Sequence, residues 1–320
     1  MSNSETFPNL FPITLGGNTF GWTSDEATSF KVLDAYVQAG GNHIDSADSY
    51  SAFAPGNKGG ESETVIGNWL ASRGNRSEVF VATKVSQHPE YRGLAADNIR
   101  AAIDQSLCRL KTDYVDLYYA HNDDPEQDIA DIAASFDSLV RAGKVLRLGV
   151  SNMSPERITS WMDVAEANGL ACPVAIQPHY NLLARETYEQ EYEPLAQKYG
   201  LTVFPYFSLA AGFLTGKYRT PADVQGADRE RQLKSYGDDH AFRVVAVLFE
   251  VADEANVAPA TVALAWQLSR QSVTGPIVSA RVPEQLPDVL AAVSLRLSSD
   301  QVSRLEQITE AGRSCSASNV

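Results

Sequence analysis

The chain has 320 residues, 44% of them hydrophobic, and a formal net charge of −14 at pH 7. A chain near this length buries roughly three quarters of the surface that it exposes when unfolded, so one large core is expected. The acidic balance argues against a nucleic-acid surface, which needs clustered Lys and Arg to release counterions. No apolar run reaches the ~18 residues of a membrane span.

The cysteines and the first residues of the chain indicate the cellular compartment. Cys108, Cys172 and Cys315 form neither an even disulfide set nor a metal-ligand spacing. Residues 1–9 lack the basic start and apolar centre of a secretion signal. We therefore expect a cytoplasmic protein without a metal site, and the sequence leaves the oligomeric state open.

Short runs rich in β-branched and aromatic residues alternate with stretches of helical period. The first helix is predicted to begin with a capping box of Thr23 and Glu26 and to end at Gly40 and Gly41. The predicted strands are residues 43–45, 78–84, 114–120, 145–150, 174–177, 201–206 and 275–279.

Two later helices have clear signals. The third helix is marked by four apolar residues on one face, namely Ile99, Ile103, Leu107 and Leu110. Ser154 as N-cap and Pro155 in the first turn begin another helix. Its buried face is predicted to hold Ile158, Trp161 and Ala165.

Strands that alternate with helices predict parallel pairing. An eighth strand is expected from the N-terminal segment, either around Phe20 or as a hairpin over residues 13–19. We therefore predict an α/β protein with one (β/α)8 TIM barrel domain over residues 1–320. The charged stretch 219–239 has no apolar period and is predicted to be a mobile loop over the site, rather than a linker between domains.

Polar residues follow three successive predicted strands, and the chemistry of such barrels lies at the C-terminal strand ends. Tyr50 is a candidate general acid, although the reference pKa of tyrosine, about 10, makes it reluctant near neutral pH. Lys84 beside the phenol is expected to lower that pKa, and Asp45 to keep the lysine charged. His121 is expected to hydrogen-bond the same substrate oxygen.

In order and approximate spacing, these residues match the Asp-Tyr-Lys-His tetrad of the aldo-keto reductase superfamily, which the chain resembles over nearly its whole length. The matching strings are IDSADSY, GESETVIGNWL, ATK, DLYYAH, GVSN, IQPHYN and GFLTGKY. The resemblance implies NADPH-dependent reduction of a small-molecule aldehyde or ketone, with Asp45, Tyr50, Lys84 and His121 as the catalytic residues.

No GxGxxG follows a strand, so a Rossmann dinucleotide site is not indicated. The resemblance implies instead that NADPH lies extended across the barrel mouth. Ser151, Asn152 and Gln177 would then hold the nicotinamide carboxamide, and Tyr206 would stack on the nicotinamide ring.

The loops after the last two strands are predicted to hold the phosphates. A run of small residues closed by a lysine suits an anion through its backbone N–H groups. The residues of this predicted pyrophosphate clasp are Phe207, Ser208, Leu209, Gly212 and Lys217. Ser279 and Arg281 follow the eighth strand, where a guanidinium suits a ribose 2′-phosphate.

The sequence departs from the family pattern at several of these positions. Phe207 and Ser208 replace serine and proline, and Ser279 replaces a frequent glycine. Gln285 keeps the pattern, whereas Val289 stands where an asparagine commonly contacts adenine. We therefore expect weaker contact with adenine and the loss of one hydrogen bond to the pyrophosphate.

Trp22, Phe53 and Asn122 are predicted to line the substrate pocket beside His121. The tail after Gly312 is short and polar, so no elaborate lid is expected from it. Two alternatives stay open. One is a redox-sensing, NADPH-binding subunit similar to ion-channel β-subunits of this superfamily. The other is a barrel aldolase in which Lys84 forms a Schiff base.

Overall fold

The computed structural model describes Phe7, residues 9–226, Leu233, Tyr236 and residues 238–310, in which strands and helices alternate. The strands are β1 (Thr14–Gly16), β2 (His43–Asp45), β3 (Phe80–Val85), β4 (Leu117–Ala120), β5 (Leu148–Ser151), β6 (Pro173–Gln177), β7 (Thr202–Val203) and β8 (Ile277–Val278). The helices are α1 (Glu26–Gln38), α2 (Glu61–Arg73), α3 (Ala96–Leu110), α4 (Ile129–Arg141), α5 (Pro155–Asn168), α6 (Glu193–Tyr199), α7 (Pro221–Val224), α8 (Asp239–Ala255), α9 (Pro259–Leu268), α10 (Leu286–Leu290) and α11 (Ser299–Glu310).

The strands form one sheet in the order β7-β6-β5-β4-β3-β2-β1-β8, and each paired neighbour is parallel. Two backbone hydrogen bonds join the ends of this order. The N–H of Thr274 donates to the carbonyl of Val203 (3.0 Å), and that of Ile277 donates to Pro205 (2.8 Å). The predicted (β/α)8 barrel is therefore confirmed.

Successive side chains of a strand point to opposite faces, and this alternation separates two apolar layers. In β3, Val81 and Val85 pack outward in the main core beneath the helices. Ala82 packs inside the barrel in a second cluster with Leu117 and Tyr119 of β4. Every second residue of β3 therefore faces the barrel interior.

Phe7 packs against the bottom of the barrel. The ring of Phe7 lies 5.7 Å from that of Phe80, at the start of β3, and 5.6 Å from that of Phe204. Phe7 is buried in the same inner cluster. The opposite mouth, where the strands end, is left open for the site.

The first and the last two strands differ from the predicted ones. In place of a hairpin over 13–19 or a strand at Phe20, the chain forms one strand, β1, parallel to both β2 and β8. β7 ends at Val203, short of the predicted 201–206, although the N–H groups of Phe204 and Tyr206 still donate to Ile176 and Pro178. β8 is also shorter than the predicted 275–279, since Pro276 precedes it.

The predicted cap of α1 is wrong, whereas the other helix signals are confirmed. Asp25, not Thr23, is the N-cap, and its carboxylate accepts from the N–H of Thr28 (2.7 Å). Gly40 takes a left-handed φ of 93° just after the helix, as predicted. Ser154 caps α5, and the predicted apolar faces of α3 and α5 are buried.

Part of the predicted loop 219–239 is described. It contains α7 and ends at α8, which begins at Asp239, while residues 227–232, 234, 235 and 237 lie outside the described residues. The tail after Gly312 and Cys315 lie outside them as well. None of the described helices is long and apolar enough to cross a membrane.

Candidate active site

The alternation of the strands places the first two catalytic candidates inside the barrel mouth. Ile44 of β2 packs outward, so the next residue, Asp45, points inward. In β3 the inward Ala82 is followed two residues later by Lys84. The register pairs Asp45 with Ala82 and therefore brings the two side chains together. Both are completely buried.

Lys84 forms hydrogen bonds with three groups of the site. Its ammonium Nζ donates to Asp45 Oδ2 (2.6 Å), to the carbonyl of Ser46 (2.6 Å) and to Tyr50 Oη (2.8 Å). Three acceptors use all three N–H groups of a lysine. The ammonium is thus held in one orientation, directly against the tyrosine hydroxyl.

Tyr50 follows β2 by five residues and is half-buried at the barrel mouth. Its hydroxyl also donates to Asp45 Oδ2 (3.3 Å). Burial and the Asp45 carboxylate raise the pKa of Tyr50 well above its ordinary value. The expected net lowering of this pKa is therefore wrong for this arrangement, because burial and Asp45 dominate. Tyr50 is consequently a protonated phenol at neutral pH.

Burial lowers the pKa of Lys84, while the adjacent Asp45 carboxylate opposes the change. The hydrogen bonds to Asp45 and to the Ser46 carbonyl favour the charged form. Asp45 is itself fixed by a further contact, since Gln177 Nε2 donates to Asp45 Oδ1 (3.0 Å). The carboxylate therefore has fixed partners on both of its oxygens.

His121 lies directly after β4, and its backbone N–H donates to the carbonyl of Val85 (2.9 Å). Its ring centroid is 5.9 Å from that of Tyr50, in an edge-on arrangement. Burial, followed by the charge of Lys84, lowers the pKa of His121 well below its ordinary value. A neutral imidazole beside the phenol can orient a carbonyl oxygen without competing for the acidic proton.

A cavity of about 800 Å³ opens above these groups. Tyr50 and His121 line its inner end, whereas Asp45 and Lys84 lie beneath it. All twelve predicted cofactor residues line it too, namely Ser151, Asn152, Gln177, Tyr206, Phe207, Ser208, Leu209, Gly212, Lys217, Ser279, Arg281 and Gln285. The fold thus gathers these twelve residues, which end or follow β5, β6, β7 and β8, into one groove.

The predicted nicotinamide residues are hydrogen-bonded to one another. Ser151 Oγ donates to the carbonyl of Gln177 (2.9 Å), and Asn152 Nδ2 donates to Ser151 Oγ (3.1 Å). Tyr206 Oη donates to Asn152 Oδ1 (2.8 Å). Asn152 has a φ of 47°, a left-handed conformation that asparagine tolerates better than most residues. The side chains therefore form a preorganised polar wall.

The segment after β7 has the backbone of an anion site. Phe207, Ala210 and Ala211 have left-handed φ values of 53°, 48° and 56°, and Gly212 follows at 102°. Such alternations aim N–H groups into a concavity that binds anions. The N–H groups of Ser208 and Leu209 donate to no acceptor in the described ranges. The predicted pyrophosphate clasp thus has donors available.

The loop after β8 is fixed by its own contacts. Gln285 Oε1 accepts from the backbone N–H of Arg281 (2.7 Å), and the Arg281 carbonyl accepts from Ser24 Oγ (2.7 Å). A Cβ on Gly16 would lie 2.7 Å from Ser279 Oγ, so any larger residue there would displace the Ser279 side chain where β1 and β8 meet at the cavity wall. Val289 is buried in an apolar cluster, outside the lining of the cavity.

The predicted substrate residues lie outside this cavity. Trp22 packs edge-on against Phe53 with ring centroids 4.7 Å apart, and Phe53 is 66% exposed. Asn122 Oδ1 accepts from Gln87 Nε2 (2.6 Å), and Gln87 is the residue that lines the cavity. Their role in binding a substrate remains a prediction.

Sequence reasoning missed several lining residues, and the strand-end rule offers a signal for most of them. Gln87 follows Lys84 by three residues, and Asn18 and Thr19 follow β1 directly. The bounds of β1 do not follow from the sequence pattern, so the residues after its end were not predicted. Tyr218 lines the cavity from the string GFLTGKY.

Comparison with known proteins gives a single family. The model of the Aldo/keto reductase family matches residues 12–310. Norsolorinic acid reductase stcV of Emericella nidulans is 31% identical over 312 residues, 92% of this chain and 77% of that protein. Aryl-alcohol dehydrogenase GME11368 of Pestalotiopsis microspora is 32% identical over 319 residues, 92% of this chain and 78% of that protein.

A bacterial relative matches over most of its own length. Protein tas of Escherichia coli is 30% identical over 321 residues, which cover 92% of each chain. These similarities support oxidoreduction as the general activity, and members of the family generally use nicotinamide cofactors. With the barrel and the matched region of 299 residues from 12 to 310, the chain belongs to the aldo/keto reductase family.

Proposed function

We propose that this protein reduces aldehydes or ketones to alcohols with NADPH and that Tyr50 is the general acid. One observation carries the proposal: Lys84 Nζ contacts both Asp45 Oδ2 and Tyr50 Oη directly beneath the cavity. The volume of about 800 Å³ lies within the range of about 300–1,000 Å³ that is common for ligand pockets.

The residues present fit a dinucleotide. An anion-binding backbone at Ser208 and Leu209 suits its central pyrophosphate, and a polar wall at Asn152 suits its nicotinamide end. Arg281 after β8 suits a 2′-phosphate, which favours NADPH over NADH. When bound, the cofactor supplies the hydride.

The proton is supplied by the chain itself. The raised pKa keeps the Tyr50 phenol protonated, so that it can donate to the substrate oxygen. As charge develops on Tyr50 Oη, the ammonium of Lys84 at 2.8 Å stabilises it. His121 would hold the same oxygen from the other side.

The names of two relatives support a carbonyl or alcohol substrate. One is called a reductase of norsolorinic acid and the other an aryl-alcohol dehydrogenase. For the present chain we propose only the substrate class, namely aldehydes and ketones, including aromatic ones.

A Schiff-base aldolase is disfavoured by the position of Lys84. The side chain is completely buried, and its three N–H groups are occupied by Asp45, Ser46 and Tyr50. A substrate carbonyl would have to displace these partners to reach the amine. If the protein is instead a redox-sensing subunit, turnover should be slow despite tight cofactor binding. The following assay also measures this turnover.

Tyr50→Phe is expected to lower kcat about 10²- to 10⁴-fold, because it removes the acidic proton and keeps the ring. The measurement is NADPH oxidation with a panel of aliphatic and aromatic aldehydes. Tyr192→Phe is a matched control, since Tyr192 Oη donates to the carbonyl of Met153 (3.1 Å) and Tyr192 does not line the first cavity. Undiminished turnover by Tyr50→Phe would disprove the role of Tyr50.

A further inference from the structure

His179, in the string IQPHYN, lies behind the wall that Tyr206 forms. The two rings are stacked, with centroids 5.4 Å apart and planes inclined by only 16°. Both His179 and Tyr206 line a second cavity of about 470 Å³. Tyr206 also lines the first cavity, whereas His179 does not. The imidazole thus covers Tyr206 from the side away from the proposed cofactor.

The backbone holds these rings in register. The N–H of Tyr206 donates to the carbonyl of Pro178 (2.9 Å), and residues 179 and 206 form a parallel bridge beyond the ends of β6 and β7. The stacking is therefore a consequence of strand pairing, not of a chance contact between two long side chains.

Hydrogen bonds around His179 favour one tautomer. Asn181 Oδ1 accepts from the N–H of Leu183 (2.8 Å) and its Nδ2 donates to the carbonyl of Phe207 (2.9 Å), which determines the orientation of the amide. That Nδ2 lies 3.4 Å from His179 Nε2 and can only donate. This arrangement favours His179 Nε2 as an acceptor, with the proton of the neutral ring on Nδ1.

A second partner completes the arrangement. Tyr236 Oη lies 2.6 Å from His179 Nε2 and, with that nitrogen as acceptor, donates to it. Burial lowers the pKa of His179, which agrees with a neutral ring. Two donors on one nitrogen restrain the imidazole plane on which Tyr206 rests.

Movement of Tyr206 would be transmitted to the catalytic end of the cavity. Tyr206 Oη donates to Asn152 Oδ1 (2.8 Å), and Asn152 Nδ2 donates to the backbone carbonyl of His121 (2.9 Å). Tilting the Tyr206 ring would therefore change both the proposed stacking surface and the amide that adjoins His121.

We propose that His179 is a positioning residue which, stacked on Tyr206 and held by Asn181 and Tyr236, fixes the surface that receives the nicotinamide ring. This inference rests on the proposed function for the identity of the ligand. His179 does not line the first cavity, so it acts through the two lining residues that its ring contacts, Tyr206 and Phe207.

The binding test follows NADPH by quenching of tryptophan fluorescence, with no turnover needed. His179→Ala is expected to raise the Kd about three- to tenfold, the size of the effect of losing one stacked ring pair. His179→Phe keeps a ring and should restore most of the affinity. Tyr236→Phe, which removes one restraining donor, should weaken binding by less than His179→Ala.

His88→Ala is the matched control, because His88 also packs on a tyrosine, Tyr91 (centroids 5.1 Å), but lines neither cavity. Its Kd should equal that of the parent. Equal NADPH affinity of His179→Ala and the parent would overturn the positioning role while leaving the proposed function intact. Absence of binding of either nicotinamide nucleotide to the parent would overturn the proposed function, and the positioning role with it.

A cofactor-free measurement tests the arrangement separately. Nitrogen NMR of ¹⁵N-histidine-labelled protein at pH 7, with His179 assigned through His179→Phe, should show Nδ1 protonated and Nε2 unprotonated. A proton on Nε2, or an imidazolium, would contradict the hydrogen bonding on which the proposal depends.

Discussion

Lys84 illustrates how one buried residue connects the chemistry of the site with the stability of the fold. An unpaired ammonium inside a barrel would be costly, and the Asp45 carboxylate at 2.6 Å offsets this cost. The same ammonium faces Tyr50 Oη. The contact that we propose to be catalytic therefore shares its lysine with a buried ion pair.

Breaking this pair is expected to destabilise the protein more than replacing it. Asp45→Asn or Lys84→Met alone should each lower the free energy of unfolding by about 3–5 kcal/mol, since each leaves an uncompensated polar partner in the core. The double variant should lose clearly less than the sum of the two. Urea unfolding of the three variants and the parent measures this coupling.

Strictly additive losses would contradict the account of Lys84 and Asp45 as one unit. All three variants should also lack reductase activity, so stability and turnover are to be measured on the same samples. Lys144→Met is a suitable control for the loss of a lysine, because its partner Asp104 is exposed and surface pairs contribute little.

At the scale of the elements, short strands and capped helices determine which loops reach the mouth. β7 and β8 each contain two residues, so the chain leaves the sheet early and the segments from Phe207 and from Ser279 start at the rim. The start of each helix between strands depends on the N-cap in its first turn. In α1 the N-cap is Asp25, although Thr23 and Glu26 have the spacing of a capping box.

The two candidate caps of α1 can be told apart by substitution. Asp25→Ala should lower the urea midpoint, because the N–H of Thr28 loses its acceptor. Thr23→Ala should leave the midpoint unchanged or raise it, since Thr23 Oγ1 is buried without a hydrogen-bond partner in the described residues. The reverse order of the two effects would show that the capping box forms in solution.

At the scale of the whole molecule, the charge of −14 opposes the binding of an anionic cofactor. Local groups must therefore attract the phosphates. Lys217 and Arg281 both line the cavity, one after β7 and the other after β8. Backbone N–H groups at Ser208 and Leu209 add donors that carry no side-chain charge.

These two cations are predicted to act on different phosphates. Arg281→Met should weaken NADPH binding about tenfold or more and leave NADH binding nearly unchanged, because a guanidinium hydrogen bond to a charged group is worth about 1.5–3 kcal/mol. Lys217→Met is the matched control, which should weaken both nucleotides by similar factors. Fluorescence titration gives the four constants, and equal losses of NADPH and NADH in Arg281→Met would remove the role of Arg281.

The sequence by itself was sufficient for the alternation of strands and helices, the barrel class and the order of Asp45, Tyr50, Lys84 and His121. These follow from local patterns, since hydrophobic period and turn residues are properties of neighbouring positions. Ser154 and the buried face of α5 were predicted for the same reason. The three residues of β1 carried too short a pattern to be found.

Only the tertiary structure decided the protonation of Tyr50 and the surroundings of His179. Whether burial, a carboxylate or an ammonium dominates the pKa of Tyr50 depends on distances across β2 and β3, and these distances come from strand register. His179 acquires a role through a ring 27 positions later in the chain, which no local period records. Electrostatics and stacking are fixed by three-dimensional proximity, whereas secondary structure is largely fixed by sequence neighbours.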